Sequence, residues 1–451
     1  MGWFGRLFSS SSAQDVEEGG GFRAVRPSFG GRNLAADNAA SALPRFHGSA
    51  TDQLHSRGGP EEKARIRLRD AFTPSQPVSN LRMFAGRTDV LKSLIRSIED
   101  QRMHLVLYGD RGMGKTSMMH ILAQLAREAK YVVCYASCGE DSDFSDIFRT
   151  IAADIPLLYH SGYAPTDAAI EQGKTLADLL PPGPVSASQL SELFGKLSST
   201  RVLIILDEFD RSPPGAFRRG IAELIKNLSD RSVRVQLAIA GVAGNLAELI
   251  EHIPSIRRNI YGLQVPNMKP DEVEELIHIG EGASGLTFEE DALQFLVSIS
   301  YGSPYIASLL AQHAGLNAVD RGALDVTHAD VAMAVRASVE EIRHRVSERS
   351  VDQVETARAD GHLEMLALLA RISLTSGGRL DLARMEGTGP KAADCERFIT
   401  DVASRYALIE PMPGDVPQRH RFKEEGVPVF IWMLLARDHL SEPGAARAAG
   451  V

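Results

Sequence analysis

The chain has 451 residues, is 44% hydrophobic and 24% charged, and carries a formal net charge of −9 at pH 7. This length exceeds what one ordinary hydrophobic core accommodates, so two or three domains are expected. The acidic balance excludes a global basic field that would draw the whole chain to nucleic acid or anionic lipid, and no apolar run is long enough to span a bilayer.

The three cysteines, Cys134, Cys138 and Cys395, are too few for a disulfide framework and favour a reducing, cytoplasmic location. Cys134 and Cys138 have a spacing that can suggest half of a metal site, but no second Cys or His pair lies nearby in the sequence. We therefore predict that both are buried free thiols.

Residues 1–80 are rich in Gly, Ser, Ala, Arg and Asp and have little sustained periodicity, so we predict a mostly disordered tail. A short helix is expected around Glu61–Phe72. The apolar segment Met1–Phe8 lacks a signal-peptide core. It fits either a frayed terminus or a short peptide that touches a membrane or a partner.

From residue 81 to residue 266, short apolar stretches alternate with helical ones, which is typical of a mainly parallel sheet covered by helices. The sequence predicts an α/β core with a five-stranded parallel sheet. The predicted strands are His104–Tyr108, Tyr131–Ala136, Arg201–Leu206, Val233–Ala240 and Ile260–Val265. Residues 159–185, which include Pro-Pro-Gly-Pro, are predicted to form a mobile surface loop.

A phosphate-binding loop follows the first strand. It fits G-x-x-x-x-G-K-[ST] and comprises Gly109, Asp110, Arg111, Gly112, Met113, Gly114, Lys115 and Thr116, with Ser117 next in the following helix. Its glycines let backbone N–H groups turn toward phosphate oxygens, and the helix N-terminus adds partial positive charge. Lys115 supplies a charge at the β- and γ-phosphates, and the Thr116 hydroxyl is a ligand for Mg²⁺. The loop predicts a nucleoside triphosphate site, with no role assigned to the side chains of Asp110 and Arg111.

Two adjacent carboxylates, Asp207 and Glu208, end the predicted strand Arg201–Leu206. Alternation along a strand sends neighbouring side chains in different directions. Asp207 is therefore expected to reach Mg²⁺ through water, and Glu208 to polarise the water that attacks the γ-phosphate.

Phosphoryl transfer usually needs a further positive group besides Lys115 and the metal. Arg257 and Arg258, just before the last strand, are the candidates. They fit an arginine finger supplied across a subunit interface, which would require a homo-oligomer. A sensor acting within one chain and ordinary surface arginines fit the same position.

After Pro266 the pattern becomes helical. Residues 267–346 are predicted to form a lid of four helices, 347–361 a linker, 362–440 a winged helix-turn-helix domain and 441–451 a disordered tail. In the winged domain, the expected helices are His362–Ser373, Arg379–Met385, Ala392–Tyr406 and Pro428–His439, and the wing strands occupy 408–411 and 419–423.

Four segments occur in an order that resembles a known family: Phe84-Ala85-Gly86-Arg87, the phosphate loop, Asp207-Glu208, and Gly302-Ser303-Pro304. They resemble the AAA+-like ATPases of the signal-transduction ATPase (STAND) class and the related origin-recognition type replication initiators. The likeness covers residues 81–346 and, more loosely, the chain to about 440. It implies a P-loop NTPase (AAA+-like) fold, ATP and Mg²⁺ as cofactors, and ATP hydrolysis.

The resemblance also implies site roles outside the loop. Gly86 and Arg87 would pack near the adenine, and Pro304 would contact the nucleotide, although Pro304 also fits an ordinary proline in a first helical turn. Val90 stands where the family usually has Glu. The lid has Ser303-Pro304-Tyr305 where initiators have a sensing arginine, which favours the signalling side of the family and slow hydrolysis.

Three functions fit these features. A nucleotide-driven molecular switch with a protein partner is favoured. A DNA-binding initiator or loader is the alternative, but Gly361–Val451 holds 11 Lys and Arg against 12 Asp and Glu, which is weak for phosphate neutralisation. Its best DNA-contacting residues are those of the wing: Arg419, His420, Arg421 and Lys423. A binding module without hydrolysis is opposed by the presence of Lys115, Thr116 and Asp207-Glu208.

Overall fold

A computed structural model describes residues 59–243, 245–249, 254–376, 378–380, 392–412 and 420–441, all within the compact unit Ser56–Val451. The predictions for Met1–Phe8, for the rest of the tail up to residue 58, for Arg419 and for 442–451 lie outside the described residues. Within the described residues, no helix has the length and apolar character needed to cross a bilayer.

The core of the fold is one parallel sheet. Its strands are β1 (His104–Gly109), β2 (Val132–Ser137), β3 (Val202–Asp207), β4 (Val235–Val242) and β5 (Ile260–Gln264). They lie in the order β2-β3-β4-β1-β5, and every neighbouring pair is parallel. The predicted five-stranded α/β core is confirmed. Because the strands are parallel, their carboxyl ends meet at one edge, where Asp207 lies opposite Ser137 and Gly109 opposite Val242.

Helices cover both faces of this sheet. The helices that precede β5 in the chain are α1 (Pro60–Ala71), which packs on the lid, α2 (Thr88–Glu99), α3 (Lys115–Glu128), α4 (Phe144–Ala153), α5 (Ala168–Glu171), α6 (Ala187–Gly195), α7 (Ala216–Asp230) and α8 (Leu246–Leu249). All six residues of β3 are buried. Leu203 and Ile205 pack with residues of α2 and α3, whereas Ile204 and Leu206 pack with residues of α4, α6 and α7. Continuous apolar sequence is what a strand covered on both faces requires.

The segment 159–185 is more structured than the predicted loop. It contains α5 and a short 3₁₀ turn at Leu176–Leu179, and Leu176 and Val185 are buried in the core that also holds Cys134 and Cys138. Both cysteines are free and buried, as predicted. Among the described residues, no group of three or more His, Cys, Asp or Glu side chains is arranged to hold a metal ion.

The four predicted lid helices are present as α9 (Pro270–Ser284), α10 (Glu290–Ser300), α11 (Pro304–Asp320) and α12 (His328–Arg343). A short parallel pair not predicted from the sequence, β6 (Thr287–Phe288) with β7 (Asp325–Val326), joins their connections.

The short helix foreseen within the mostly disordered tail is present, whereas the expectation of disorder is wrong for residues 73–80. Helix α1, foreseen as a short helix around Glu61–Phe72, packs against α9 and α11 of the lid. Leu68 and Phe72 are fully buried in the lid core. The side-chain amide of Gln312 donates to the carbonyl of Phe72 at 2.8 Å.

The remaining elements are α13 (Glu348–Ala359), α14 (Leu363–Thr375), β8 (Arg379–Leu380), α15 (Ala392–Asp401), β9 (Ile409–Pro411), β10 (His420–Phe422) and α16 (Gly426–Ser441), with a π-helical turn at Val402–Tyr406. Strand β10 pairs antiparallel with both β8 and β9.

Two predictions for this C-terminal region need correction. The expected linker 347–361 contains helix α13, which buries Val351, Val354 and Ala357. Arg379 begins a strand and not a helix, and residues 381–385 of that expected helix lie outside the described part of the chain. Helix α16 shares a core with the lid, and the Trp432 indole N–H donates to the carbonyl of Ile299 at 2.8 Å.

Candidate nucleotide site

The phosphate loop joins β1 to α3 at the carboxyl edge of the sheet. Gly112 and Gly114 have φ angles of 79° and 78°, a left-handed conformation that strongly favours glycine. Gly114 precedes the first residue of α3, Lys115. The N-terminus of this 14-residue helix therefore points its free N–H groups into the space above the loop.

The ammonium group of Lys115 is hydrogen-bonded to the backbone of the phosphate loop. It donates to the carbonyl of Gly109 at 2.9 Å and to the carbonyl of Asp110 at 2.6 Å. Burial lowers the Lys115 pKa to about 8, while the carboxylates of Asp110, Asp210, Asp207 and Glu425 act in the opposite direction. These four carboxylates favour the charged form of Lys115, so its ammonium is the positive group inside the phosphate loop.

Asp207 is the last residue of β3, and its carboxylate is held from two sides. One oxygen accepts the backbone N–H of Glu208 at 2.8 Å, and the other accepts the Tyr135 hydroxyl at 2.6 Å. Asp207 is only 4% exposed. Burial, followed by the Asp207 carboxylate, raises the pKa of Tyr135 well above its ordinary value, so the hydroxyl keeps its proton.

Glu208 follows the last residue of β3, so its direction is set by a left-handed backbone and not by the strand alternation used in the prediction. Its φ of 52° is a left-handed conformation that costs a non-glycine residue of order 1 kcal/mol or more. The half-exposed carboxylate accepts the Ser137 hydroxyl at 3.1 Å and the Arg211 guanidinium at 3.1 Å. The Glu208 side chain is thus held by two neighbours that the sequence did not indicate.

These groups face one cavity of about 660 Å³. Nine of the residues named from the sequence line it: Arg111, Gly112, Gly114, Lys115, Thr116, Ser117, Asp207, Glu208 and Pro304. The phosphate loop, the acidic end of β3 and the lid therefore meet around a single space. The cavity has the size range of small-molecule sites.

Gly86 and Arg87, expected near the adenine, do not belong to the cavity wall. Their backbone N–H groups donate to Glu275 and Glu272 of lid helix α9, at 3.0 and 2.6 Å. The Arg87 guanidinium donates to the carbonyls of Met113 and Pro266, so it supports the phosphate loop from behind. Burial lowers the Arg87 pKa to about 10, against the opposing effect of Glu272.

The lid touches the phosphate loop directly at Pro304 and Tyr305. A Cβ placed on Gly114 would lie 3.7 Å from Pro304 Cγ, and one placed on Gly112 would lie 3.1 Å from Tyr305 Cβ. The Arg345 guanidinium donates to the Tyr305 hydroxyl and lies 5.4 Å from the centre of its ring. Tyr305 thus leaves no room for a larger residue at position 112.

The side chain of Asp110, to which the sequence assigned no role, contacts the C-terminal region. The Gly378 N–H donates to its carboxylate, and a Cβ on Gly378 would lie 3.3 Å from Asp110 Oδ1. Burial raises the Asp110 pKa to about 6, opposed by Lys115. Asp110 and Met113 line a second, smaller cavity that Leu374 of α14 also borders.

Several residues of the main cavity had no sequence signal. Thr73–Val78, assigned to the tail, forms part of the wall, and the Val78 N–H donates to the Ser117 hydroxyl at 3.0 Å. Asp210, in the same Asp-Glu-Phe-Asp segment as Asp207, accepts the Val242 N–H at 2.8 Å. Glu425, just before α16, lines the cavity from the C-terminal side.

Arg257 and Arg258 are exposed in the turn Pro254–Asn259 and do not line the cavity. Within this chain, the structure does not bring them to the phosphate loop. A role in the site therefore requires a second copy of the chain.

Comparison with known proteins identifies the part of the chain that carries this site. Residues 84–239 match the AAA ATPase domain family, and this span holds the phosphate loop, Asp207 and Glu208. The chain carries an AAA ATPase domain. This confirms the AAA+-like P-loop resemblance, and the matched span includes β1, β2, β3 and the first part of β4. No match was found among curated proteins.

Solved structures similar to the chain are distant from it. They include the RuvB Holliday junction branch migration motor of Thermotoga maritima, with 16% identity over 84% of this chain and 99% of that chain and a TM-score of 0.41. Cdc6p of Pyrobaculum aerophilum has 16% identity over 82% and 98%, with a TM-score of 0.44. A Walker-type ATPase of Pyrococcus abyssi has 12% identity over 79% and 98%, with a TM-score of 0.45. The assignment depends on the AAA domain match and not on these structures.

Proposed function

We propose that this protein binds ATP with Mg²⁺ in the cavity between the phosphate loop and the lid, hydrolyses it slowly, and uses nucleotide occupancy as a molecular switch. The observation that carries the proposal is the convergence of Lys115, Thr116, Asp207 and Glu208 on one cavity that Glu425 also lines. The first four supply the chemistry, and Glu425 links the site to the C-terminal region.

The residues present fit a magnesium nucleotide. Lys115 and the free N–H groups of α3 would hold the phosphates, and Thr116 and Asp207 would hold the metal, directly and through water. Mg²⁺ in such sites neutralises charge on the phosphates. Since the described residues form no dedicated metal cluster, we expect Mg²⁺ to bind together with nucleotide and not before it.

Glu208 would polarise the attacking water. Ser137 and Arg211 both donate to its Oε2 atom, so they fix the carboxylate while Oε1 would accept from the water. The lid has Ser303-Pro304-Tyr305 in place of a sensing arginine. This lid sequence supports slow hydrolysis, which suits a switch better than a motor.

The switch itself rests on two contacts of the C-terminal region, Gly378 with Asp110 and Glu425 with the cavity. A γ-phosphate in the cavity would add negative charge beside Glu425 and thereby weaken this docking. ATP at about a hundred times its dissociation constant stabilises the bound form by roughly 2.7 kcal/mol. If ATP binds only the undocked form, this shifts a nearly balanced docking equilibrium by up to about a hundredfold, and any affinity for the docked form makes the shift smaller.

Nucleotide binding and phosphate release by the purified chain test the proposal. Lys115→Ala is expected to abolish the ATP-induced rise in melting temperature, and Lys226→Ala, an exposed lysine on α7, is expected to keep it. Glu208→Gln should retain the rise and lose phosphate release. The proposal would be contradicted if ATP did not change the melting temperature of the wild-type chain. Equal turnover in wild type and Glu208→Gln would also contradict it.

The structure offers less support for the DNA-binding alternative. Arg421 of the expected wing pairs with Glu410 at 2.8 Å, and Arg405 pairs with Asp360 at 3.1 Å. Side chains already paired with carboxylates neutralise fewer DNA phosphates. We therefore propose a protein partner in the cytoplasm, with homo-oligomerisation conditional on Arg257 or Arg258. Absence of DNA binding at both low and moderate salt is the expected result.

A further inference from the structure

Tyr135 lies outside the nucleotide cavity and contacts one of its lining residues, Asp207. It lies in β2, in register with Ile205 of β3, and its hydroxyl donates to Asp207 Oδ2 at 2.6 Å. Its side chain belongs to the core between the sheet and helices α2 and α3, the face on which Leu203 and Ile205 also lie. Tyr135 does not line the nucleotide cavity, so it has no direct contact with a ligand there.

The ring of Tyr135 is itself fixed by the helix that carries the phosphate loop. His120 of α3 stacks on it, with ring centres 4.9 Å apart and planes 6° from parallel. His120 lies four residues after Thr116, so the two side chains are on the same face of α3, one turn apart. The stack therefore connects the Thr116 face of α3 to the hydroxyl that holds Asp207.

This arrangement determines the direction of the Asp207 carboxylate. Its two oxygens are held by different donors, the Tyr135 hydroxyl and the Glu208 N–H, so rotation of the carboxylate would break at least one hydrogen bond. Both donors are uncharged, so they orient the carboxylate and leave its negative charge available to a cation. An arginine or lysine at position 135 would orient it equally but would offset that charge.

We propose that Tyr135, held by His120, is a positioning residue for the magnesium ion of the nucleotide site. It acts through Asp207, keeping the carboxylate in one orientation at the cavity that Thr116 also lines. The inference rests on the proposed function, because it concerns the metal that accompanies ATP. Loss of an outer hydrogen-bond partner of a metal ligand typically weakens metal binding by about 10- to 100-fold.

Tyr135→Phe tests this inference because it keeps the ring and the stack and removes only the hydroxyl. We expect the Mg²⁺ concentration that half-saturates ATP binding to rise at least about tenfold. Binding of Mn²⁺ in the presence of ADP, followed by electron paramagnetic resonance, should weaken to the same extent without any need for turnover. Nucleotide binding in EDTA should not change, and a residual kcat defect should disappear at high Mg²⁺.

Tyr131→Phe is the matched control. Tyr131 directly precedes β2, and its hydroxyl accepts from Arg201 at 2.8 Å, away from the cavity. This variant removes a hydroxyl from the same sheet and should leave the Mg²⁺ and Mn²⁺ curves unchanged. His120→Ala should weaken Mn²⁺ binding less than Tyr135→Phe, and His120→Phe should restore it by restoring the stack.

Two results would overturn the inference by different routes. If Tyr135→Phe shifts the metal curves no more than Tyr131→Phe while the wild type binds ATP, Tyr135 has no positioning role and the proposed function stands. If the wild type binds neither ATP nor Mn²⁺ with ADP, the proposed function fails and this inference fails with it.

Discussion

The backbone N–H of Gly378 donates to the carboxylate of Asp110, so a residue between α14 and β8 is hydrogen-bonded to the phosphate loop. Asp110 Oδ1 lies 3.3 Å from where a Cβ on Gly378 would be, and the φ of Gly378 is 75°. This contact, together with Glu425, makes the C-terminal region a neighbour of any nucleotide bound in the loop.

Gly378→Ala should disrupt this contact, because alanine is strained at positive φ and its methyl group would press on Asp110. The backbone strain alone costs about 1 kcal/mol. Gly361→Ala is a matched control: its φ is 79°, and nothing lies within 4 Å of an added Cβ. Both variants should lose similar thermal stability. Only Gly378→Ala should increase hydrogen exchange of the phosphate-loop amides. Equal exchange in the two variants would show that the contact between Gly378 and Asp110 is not part of the switch.

Glu425→Gln should strengthen ATP binding relative to ADP, because it removes a negative charge from the cavity wall where the γ-phosphate would lie. Coupling of this kind typically changes affinity by at least about fivefold. Glu348→Gln, an exposed acid on α13 outside the cavity wall, controls for net charge. Calorimetric titration with ADP and with a slowly hydrolysed ATP analogue gives the ratio. An unchanged ratio would contradict a role for Glu425 in sensing the γ-phosphate.

His104 should make folding stability depend on pH. It is 2% exposed at the start of β1, where Nδ1 accepts the Leu237 N–H at 3.0 Å and Nε2 bonds to the Ser229 hydroxyl at 3.2 Å. Burial lowers its pKa from 6.5 to about 4. Above pH 6.5 both the folded and the unfolded chain hold a neutral His104. As the pH falls from 6.5 toward 4, only the unfolded chain takes up the proton, so stability decreases by about 3 kcal/mol in total.

His104→Gln should reduce this acid-dependent loss, although it costs stability at pH 7.5 through altered hydrogen bonds. Urea unfolding at several pH values between 7.5 and 4.5 measures the difference. His439→Gln, an exposed histidine on α16, should keep the wild-type dependence. A His104→Gln chain with the full wild-type slope would mean that another group causes it.

Arg257 and Arg258 should matter only between copies of the chain, because both are exposed outside the cavity. Replacing both with alanine should lower phosphate release while ATP binding is kept. Mixing this variant with Glu208→Gln should restore turnover, since one interface then combines an intact Glu208 with intact arginines. Arg234→Ala, another exposed arginine, should have no effect. Failure of the mixture to recover activity would argue against a finger supplied in trans.

The features that could be predicted without the structure are those whose signals lie within short stretches of sequence. The apolar runs gave the five strands within a few residues, because a strand covered on both faces must be apolar throughout. The phosphate loop was predictable from eight consecutive residues, since the backbone geometry that binds phosphate requires glycine at fixed positions. Asp207-Glu208 was predictable because it directly ends a strand whose carboxyl end must lie beside the loop.

The residues from distant parts of the chain that complete the site could not be predicted from the sequence. Thr73–Val78, Gly378 and Glu425 reach the phosphate loop or its cavity because α1 and α16 pack on the lid, and no local period reports such packing. Helix α13 was missed because its buried positions, Val351, Val354 and Ala357, are small and separated by charged residues. The sequence gives no signal that distinguishes Tyr135 from other strand residues, because its hydrogen bond to Asp207 forms only when β2 and β3 lie side by side. A motif such as the phosphate loop consists of consecutive residues and can be recognised in the sequence. Contacts between separate elements arise only when folding buries their apolar faces together.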